Sequence, residues 1–348
     1  MAKYIAVDCG KYDTKVAIYN SVSKSYKKFK FRTKESEGTF IDDMLERGTF
    51  ITSVDGGPVV KIGNGARKEA ELETTKKSEI HKTCTLTAIA MAVEENGEDV
   101  NVVIGIPYQT CCIPEERIDY KNYILPEGKH SVQLKLDSNS AAKTVTFNLV
   151  KRFVYPESIG VLYEYPRDLS DIAGIVDIGN LNNNCTYCDE FNIIHESSFT
   201  DELGGKIIIN NLAQELSAEL NARCDDKLVA KILRRPLQAR CLVSSKGDKT
   251  VEDKSREIID RFLMEHVQQI KRKCDAKHWP SCDFMKMCFI GGTTRLLVPE
   301  IKEVFGNNVL IPEEPEYVNV EGFLKRFCAA DNIDISDSIA PKTKKGAA

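Results

Sequence analysis

The 348-residue sequence, long enough for two or three domains, predicts an α/β protein built from two related halves. Apolar runs with strand character alternate along the chain with longer stretches of helical character. Hydrophobic residues make up 42% and charged residues 29%, which is ordinary usage for folded domains. An apolar strand followed by Asp-x-Gly occurs at residues 5–10 and again at residues 174–179. Duplication of one strand–turn–strand unit is the simplest account of this repeat.

The first half opens with a predicted β-hairpin. Residues 3–8 are apolar and strand-like, and residues 15–19 alternate again after a polar turn at residues 9–14. A helix is expected at residues 85–95, and the near-continuous apolar strand after it indicates a sheet covered on both faces. The other predictions for this half are strands at 26–31, 100–106, 132–136 and 144–150 and a helix at 157–163 behind Pro156.

The second half repeats the opening and then becomes mostly helical. A strand at residues 172–177 ends in Asp-Ile-Gly and is followed by a polar turn at residues 180–184. The predicted elements after this turn are strands at 186–189, 192–195 and 287–290, helices at 206–220, 227–233, 252–273 and 298–305, and a turn at 291–294. Residues 336–348 are polar and are expected to form a flexible tail.

Charge and cysteine content exclude several classes of function. Lys and Arg number 48 against 52 Asp and Glu without a basic stripe, so direct nucleic-acid binding is not expected. The N-terminus lacks the pattern of a secretory signal, and no run approaches the about 20 apolar residues that cross a bilayer. A cytoplasmic protein with reduced cysteines is therefore expected, and Cys185-x-x-Cys188 lacks the second pair that a zinc site needs.

Asp8-x-Gly10 and Asp177-x-Gly179 are the strongest candidates for a functional site. Each places a carboxylate at the end of a buried strand and a glycine in the turn that follows. Backbone N–H groups of such a turn can surround phosphate oxygens where no Cβ intervenes, and an Asp can hold Mg²⁺ through its waters. One Asp-x-Gly is more often an ordinary turn, but two in matched contexts predict a nucleotide between two hairpins.

Three further motifs are weaker candidates. Lys15 lies on the second strand of the hairpin, where its ammonium can reach β- and γ-phosphate oxygens, although a solvated lysine is an equal alternative. Gly291-Gly292-Thr293 separates a buried strand from a helix, and adjacent glycines there allow a phosphate or a flat ring to approach. Gly204-Gly205 opens another helix and allows the same two interpretations.

Glu157 begins a predicted helix, where an acidic residue in the first turn interacts favourably with the helix dipole even without a chemical role.

Other nucleotide-binding and catalytic motifs are absent. The sequence has no G-x-x-x-x-G-K-[ST], so a P-loop is excluded, and it has no His-Glu-x-x-His and no G-x-S-x-G. Gly63-x-Gly65 is not a dinucleotide-binding fingerprint, because Lys68 stands where that fingerprint requires its third glycine.

Taken in chain order, these motifs resemble the nucleotide site of the superfamily that contains actin, heat-shock chaperones and sugar kinases. Residues 155–160 look like the Pro-Glu-Ser segment of bacterial plasmid-segregation actins of the ParM type, and residues 203–220 fit that family as well. The resemblance implies an actin-like ATPase fold, with two duplicated RNase H-like domains flanking a nucleotide cleft. Domain I would span residues 1–164, with 318–335 returning to it, and domain II would span residues 165–317.

The resemblance also implies a role for each matching residue. Asp8 and Asp177 would hold hydrated Mg²⁺, Lys15 would contact the β- and γ-phosphates of ATP, and Glu157 would orient the attacking water. The residues expected to line the nucleotide are Gly10, Lys11, Tyr12, Asp13, Gly179, Asn180, Asn182, Asn183, Gly204, Gly205, Gly291, Gly292 and Thr293. Leu181 stands where such loops commonly have a second glycine, and the choice between ATP and GTP stays open.

The function implied by the resemblance is nucleotide hydrolysis coupled to the assembly of filaments that move plasmid DNA. The implied partners are further copies of the chain and a DNA-binding adaptor attached to the plasmid centromere. One alternative is a cell-shape actin homologue, although residues 1–4 are too short for a membrane-binding helix. The others are a small-molecule kinase of the same superfamily and a scaffold with a degenerate nucleotide site.

Overall fold

The structure is a computed structural model that describes residues 3–69, 76–244, 247–306 and 308–339. Its strands are β1 (Lys3–Cys9), β2 (Asp13–Asn20), β3 (Ser25–Arg32), β4 (Lys34–Glu37), β5 (Thr49–Val54), β6 (Val60–Gly63), β7 (Lys68–Glu69), β8 (Glu98–Ile106), β9 (Gly128–Lys135), β10 (Lys143–Pro156), β11 (Ala173–Ile178), β12 (Asn183–Asp189), β13 (Asn192–Ile193), β14 (Phe199–Asp201) and β15 (Lys286–Ile290). Its α-helices are α1 (Glu79–Ala92), α2 (Tyr108–Cys112), α3 (Pro114–Ile124), α4 (Gly160–Glu164), α5 (Gly205–Leu220), α6 (Asp226–Leu233), α7 (Lys249–Ala276), α8 (Val298–Phe305), α9 (Val318–Ala330) and α10 (Ser336–Ile339).

The chain divides into two compact units. One unit consists of Met1–Glu164 and Tyr317–Ala348, and the other consists of Tyr165–Glu316. The chain therefore crosses from one unit to the other twice. Across the described ranges, no helix combines the length and the apolar character needed to cross a membrane.

Within the described residues, the first unit is built on a ten-stranded sheet in the order β3-β2-β1-β8-β10-β9-β5-β6-β4-β7. Strand β1 pairs antiparallel with β2 and parallel with β8. Alternate side chains of β1 enter different clusters: Ile5 and Val7 pack with residues of α1, while Tyr4 and Ala6 pack with residues of α9. Helices therefore cover both faces of this sheet, as the sequence predicted.

The second unit has a smaller sheet in the order β13-β12-β11-β15, with β14 also paired to β12. Strand β11 pairs antiparallel with β12 and parallel with β15, which repeats the arrangement of β1 with β2 and β8. The apolar residues of α5, α7 and α8 form one buried cluster with those of β11 and β15. The duplicated strand–turn–strand unit that the sequence predicted is therefore present in both units.

Several elements differ from the sequence-based predictions. Strands β4 to β7, β14 and helices α2, α3 and α9 were not predicted, whereas α8 occupies its predicted residues. The predicted helix at 157–163 begins only at Gly160, because Ser158 has a φ of 69°, a left-handed conformation that a right-handed helix excludes. The predicted polar turn at 180–184 ends at Asn182, because Asn183 pairs with Asp201 inside β12.

The flexible tail predicted for residues 336–348 begins instead with the short helix α10. Ile339 of this helix is buried in the same cluster as α9, which gives these residues an apolar surface to pack against. Residues 340–348 lie outside the described part of the chain.

Candidate functional site

The turn between β1 and β2 brings Asp8, Gly10 and Lys15 together. The register of the two strands places Asp8 opposite Lys15, and Lys15 Nζ lies 3.0 Å from Asp8 Oδ2. The N–H of Gly10 donates to the carbonyl of Asp13 at 3.0 Å. A Cβ at residue 10 would lie only 3.0 Å from that same oxygen, so glycine allows the tightest form of this turn.

Asp8 is kept ionised by its neighbours. Its side chain is only 7% exposed. Burial acts to raise the pKa of Asp8, but the charges of Lys15 and Lys76 and the hydrogen bond from Lys15 outweigh burial, so this pKa lies below its ordinary value. An ionised carboxylate at this position has the chemistry needed to hold a hydrated cation.

Arg32, at the end of β3, fixes the outer part of the turn. Its guanidinium carbon lies 3.3 Å from the centroid of the Tyr12 ring, and its Nε donates to the Tyr12 carbonyl at 3.2 Å. The same Nε lies 3.5 Å from Asp13 Oδ1. Tyr12 and Asp13 are therefore held by arginine, a contact that the sequence did not reveal because Arg32 is on a different strand.

Glu157 follows β10 and lies beside Asp8. Its N–H donates to the carbonyl of Ile106 at 2.8 Å, and its buried carboxylate is ion-paired with Lys76. A Cβ on Gly105 of β8 would lie 3.4 Å from Glu157 Cγ and 3.5 Å from Asp8 Oδ1. The two predicted carboxylates thus both lie close to the backbone of Gly105, which the Phe323 ring also covers.

Lys76 and His81 belong to this cluster, and sequence analysis missed both. Burial acts to lower the pKa of Lys76, but the charges of Glu157 and Asp8 outweigh it and raise this pKa. Burial, followed by the charges of Lys76 and Lys11, lowers the pKa of His81 to about 3, so this fully buried imidazole is neutral. The only signal in the sequence is a lysine shortly before a helix, which is too common to indicate a site.

The second unit forms a similar turn after β11. The N–H of Gly179 donates to the carbonyl of Asn182 at 3.0 Å, as Gly10 does to Asp13 in the first unit. A Cβ on Gly179 would lie 2.7 Å from that oxygen, so this turn also requires glycine. Asp177, opposite Asn184 in the β11–β12 register, corresponds to Asp8, and Asn184 stands where the first hairpin has Lys15.

Two distant segments hold this turn in place. The N–H groups of Gly205 and Lys206, at the start of α5, donate to the carbonyls of Gly179 and Asn180 at 3.0 and 2.7 Å. Thr293 Oγ1 donates to the carbonyl of Gly179 at 2.9 Å. The predicted motifs at 179–182, 204–205 and 291–293 are therefore brought together in one site.

Glycine is required where these segments touch. A Cβ on Gly204 would lie 2.5 Å from the backbone carbon of Leu181, so the close approach depends on Gly204. Gly291 has a φ of 90°, and its Cβ would lie 2.4 Å from Asp177 Oδ1. Gly292 differs because the nearest atom to its Cβ position, in the side chain of Glu316, is 3.9 Å away. A Cβ at Gly292 would therefore make only an ordinary van der Waals contact, so its neighbours do not require glycine there.

Asn183 is placed differently from its prediction as a turn residue. Its side chain is fully buried in β12, and both of its amide atoms lack a hydrogen-bond partner. Its position inside the sheet follows from its pairing with Asp201 of β14, whereas Asn180 and Asn182 remain partly exposed in the turn. In the described ranges, no three His, Cys, Asp or Glu side chains are grouped so that they could ligate a metal directly.

Comparison with known proteins identifies the fold. Residues 6–160 match the family model of the N-terminal domain of actin-like proteins. The filament structure of Alp12 is 20% identical, with a TM-score of 0.70 over 95% of this chain and 99% of Alp12. Ta0583, an archaeal actin homologue in complex with ADP, is 16% identical, with a TM-score of 0.69 over 94% and 99% of the two chains.

A 15-stranded ParM filament from Clostridium botulinum is also similar, at 15% identity and a TM-score of 0.68 over 94% of this chain and 99% of that one. A sequence search of curated proteins gives no match. The chain thus has the actin-like fold, and its residues 6–160 match the N-terminal domain of actin-like proteins, which confirms the predicted resemblance to the actin-like fold.

Proposed function

We propose that this protein is a filament-forming actin-like ATPase that segregates plasmid DNA in the cytoplasm through a DNA-binding adaptor. The observation that carries the proposal is the repeated site, because each unit places an Asp and a glycine turn at the same point of the same three-strand arrangement. The ADP bound by Ta0583 and the filaments formed by Alp12 and ParM support it.

The residues of both turns fit the phosphates of a nucleotide. The close backbone approaches at Gly179 and Gly204 leave no room for a Cβ and that at Gly10 leaves little, and such turns can present N–H groups to anions. Lys15, which faces Asp8 from the neighbouring strand, would contact the β- and γ-phosphates. The bare backbone of Gly292 and the neighbouring Thr293 would receive the adenosine.

The donor set also fits the magnesium ion that the fold family implies. Asp8 is ionised and offers the hard oxygen ligands that Mg²⁺ prefers, and Asp177 occupies the corresponding position of the second unit. Both would hold the ion through its waters, and the ion when bound would neutralise charge on the phosphates. Glu157 would orient the attacking water, a role in which position matters more than proton abstraction because the phosphoryl transition state is loose.

Light scattering and phosphate release, followed together after ATP and MgCl₂ are added to the purified protein, test this proposal. We expect scattering to rise and then decay as phosphate appears. A Glu157→Ala variant is expected to assemble but to release phosphate about 100-fold more slowly, so that its scattering persists. Glu95→Ala, at an exposed glutamate far from the described site in sequence, is the control and should behave as wild type.

Two results would contradict the proposal. Constant scattering, with turnover only when a small acceptor is supplied, would favour a small-molecule kinase of the same superfamily. Absence of both nucleotide binding and turnover would favour a scaffold with a degenerate site. Repeating the assay with GTP decides the base preference.

A further inference from the structure

A basic row, formed by Lys227, Lys231 and Arg234, lies on the outer face of α6 and at its C-terminal end. The three residues follow one another at intervals of four and three, so they share one side of the helix. All three are exposed, whereas the apolar residues of α6 pack into the core on the opposite side. Within the described residues, none of the three forms an ion pair.

The two acidic residues at the start of α6 have hydrogen-bond partners away from the basic row. Asp225 Oδ1 accepts the N–H of Leu228 at 2.8 Å and caps the helix. The side-chain amide of Asn210 donates to Asp226 Oδ2 at 3.0 Å. Neither aspartate forms an ion pair with the basic row in the described part of the chain, so the row is suited to an acidic partner.

An open groove lies beside the basic row, between α5 and the start of α6. Its volume is about 580 Å³, and Ala213, Ala218 and Cys224 provide the apolar part of a lining that is otherwise polar. Asp226 also lines this groove, and Lys227 follows it directly in the sequence. The α5–α6 groove therefore offers space for an apolar side chain next to exposed positive charge.

Helix α3 of the first unit carries a surface of the complementary kind. Glu115 and Ile118 are three residues apart, on the side of α3 that faces away from the buried Tyr120 and Ile124. The Ile118 side chain is 52% exposed. Glu115 and Glu116 are exposed too, and neither forms an ion pair in the ranges that the structure describes.

Other charged residues of α3 are engaged locally. Asp119 is ion-paired with Lys77, and the Arg117 side chain interacts with the thiol of Cys111. Lys121, the remaining cation of this helix, is only partly exposed. The N-terminal half of α3 therefore presents an apolar side chain beside two available carboxylates, which matches the groove and its basic row.

We propose that α3 of one copy of this chain binds the α5–α6 groove of another, with Ile118 in the groove and Glu115 and Glu116 against the basic row. This inference rests on the proposed function and deepens it by assigning one contact of the filament. The contact joins two different surfaces, which leaves one surface free at each end, so it can repeat into a filament. An apolar side chain between the charges favours a protein partner over a nucleic-acid backbone.

Reversing the charges on either surface tests this contact in the full chain. Lys227→Glu/Lys231→Glu makes the groove side acidic, and Glu115→Lys/Glu116→Lys makes α3 basic. The measurement is the protein concentration above which filaments pellet, in MgCl₂ and whichever of ATP and GTP supports assembly of the wild type. Melting temperature and nucleotide affinity show whether each variant folds.

Each reversed variant should need an about tenfold higher concentration to assemble, because like charges then face each other. An equimolar mixture of the two should assemble near the wild-type concentration, because the acidic α3 of one meets the basic row of the other. Ile118→Ser, which tests the groove, should also raise this concentration about tenfold through lost apolar burial. Nucleotide affinity should stay at the wild-type value in all of them.

Lys249→Glu/Lys302→Glu is the matched control. It changes two exposed lysines elsewhere in the second unit and alters the net charge as much as the groove variant does, so it should assemble as wild type. Acidic residues in a first turn stabilise a helix, so Glu115→Lys/Glu116→Lys can weaken α3. If that variant does not fold, Glu115→Gln/Glu116→Gln replaces it, with an expected rise of about threefold.

Assembly of the reversed variants at the wild-type concentration would overturn this contact and leave the proposed function intact. Failure of the mixture of folded variants to assemble would also overturn it, because the two surfaces would then not meet. Wild-type assembly of Lys227→Glu/Lys231→Glu with loss of binding to a DNA duplex would assign the basic row to nucleic acid instead. Failure of the wild-type chain to assemble with either nucleotide would overturn both proposals.

Discussion

Gly291 and Gly292 are neighbours, but the fold constrains them differently. Gly291 has a positive φ, and a side chain there would collide with Asp177, so its identity is required by the fold. A Cβ at Gly292 would make only an ordinary van der Waals contact with Glu316, at 3.9 Å, so no described neighbour excludes a side chain. Two adjacent glycines in a sequence therefore look equivalent, although only the first is required by the packing around it.

His81 predicts how stability depends on pH. Its folded pKa of about 3 lies below its ordinary value of 6.5, so the unfolded chain binds a proton between these values that the folded chain does not. Above pH 6.5 His81 is neutral in both states and does not change the free energy of unfolding. Between pH 6.5 and pH 3 protonation of the unfolded chain lowers this free energy by up to about 1.4 kcal/mol per pH unit. Urea unfolding of wild type and His81→Gln at pH 7 and pH 5 measures this effect.

We expect the wild type to lose more stability than His81→Gln between these two pH values. The comparison isolates His81 because the other titrating groups are present in both chains. Parallel losses in the two proteins would contradict a neutral, buried imidazole at this position.

At the scale of elements, α4 and α9 approach each other through glycine. A Cβ on Gly322 of α9 would lie 1.8 Å from the carbonyl oxygen of Gly160 in α4, and a Cβ on Gly160 would lie 2.4 Å from the carbonyl of Asn319. Backbone, rather than a flexible side chain, is the obstacle on both sides. The contact therefore depends on these two glycines, and it anchors the C-terminal segment to the rest of the first unit.

Gly322→Ala is expected to lower the free energy of unfolding by about 1–3 kcal/mol or more, because overpacking here requires the two helices to separate. Helix propensity alone predicts the opposite, a gain of about 1 kcal/mol. The matched control is Ala329→Gly, an exposed position in α9, where only the propensity changes. Urea unfolding that showed Gly322→Ala to be more stable than Ala329→Gly would contradict the close packing.

At the scale of the whole molecule, the twelve cysteines are free thiols and mostly inaccessible. Cys112 is exposed, Cys282 is partly exposed and the other ten are buried. Burial raises the pKa of Cys188 and of Cys328 to about 12, so these thiols are also unreactive. The ten buried cysteines therefore act as small apolar residues of the core, as the sequence predicted.

Ellman's reagent tests this distribution in the native chain. We expect Cys112 to react fast, Cys282 to react more slowly and the remaining thiols to react only after unfolding in urea. Cys112→Ser should abolish the fast phase. Rapid reaction of many thiols in the folded protein would show that the buried clusters open readily.

The sequence by itself determined the alternation of strands and helices, the repeated Asp-x-Gly turns and the order of the motifs. These features are local, because a strand, its terminal Asp and the glycine turn after it lie within a few residues of one another. The short strands β4 and β7 escaped prediction because their residues are polar or charged and pair only with other short strands. Helix α9 lies outside the repeated motifs, and its place against β1 is decided only by packing.

Only the tertiary structure decided which motifs meet. Thr293 binds Gly179, Gly204 touches Leu181 and Lys76 pairs with Glu157, and each of these contacts joins segments that are far apart in sequence. Their geometry depends on strand register and on backbone conformation, which spacing along the chain does not encode. For this reason the sequence predicted most of the candidate site but not Lys76, whose significance lies entirely in the carboxylates that surround it.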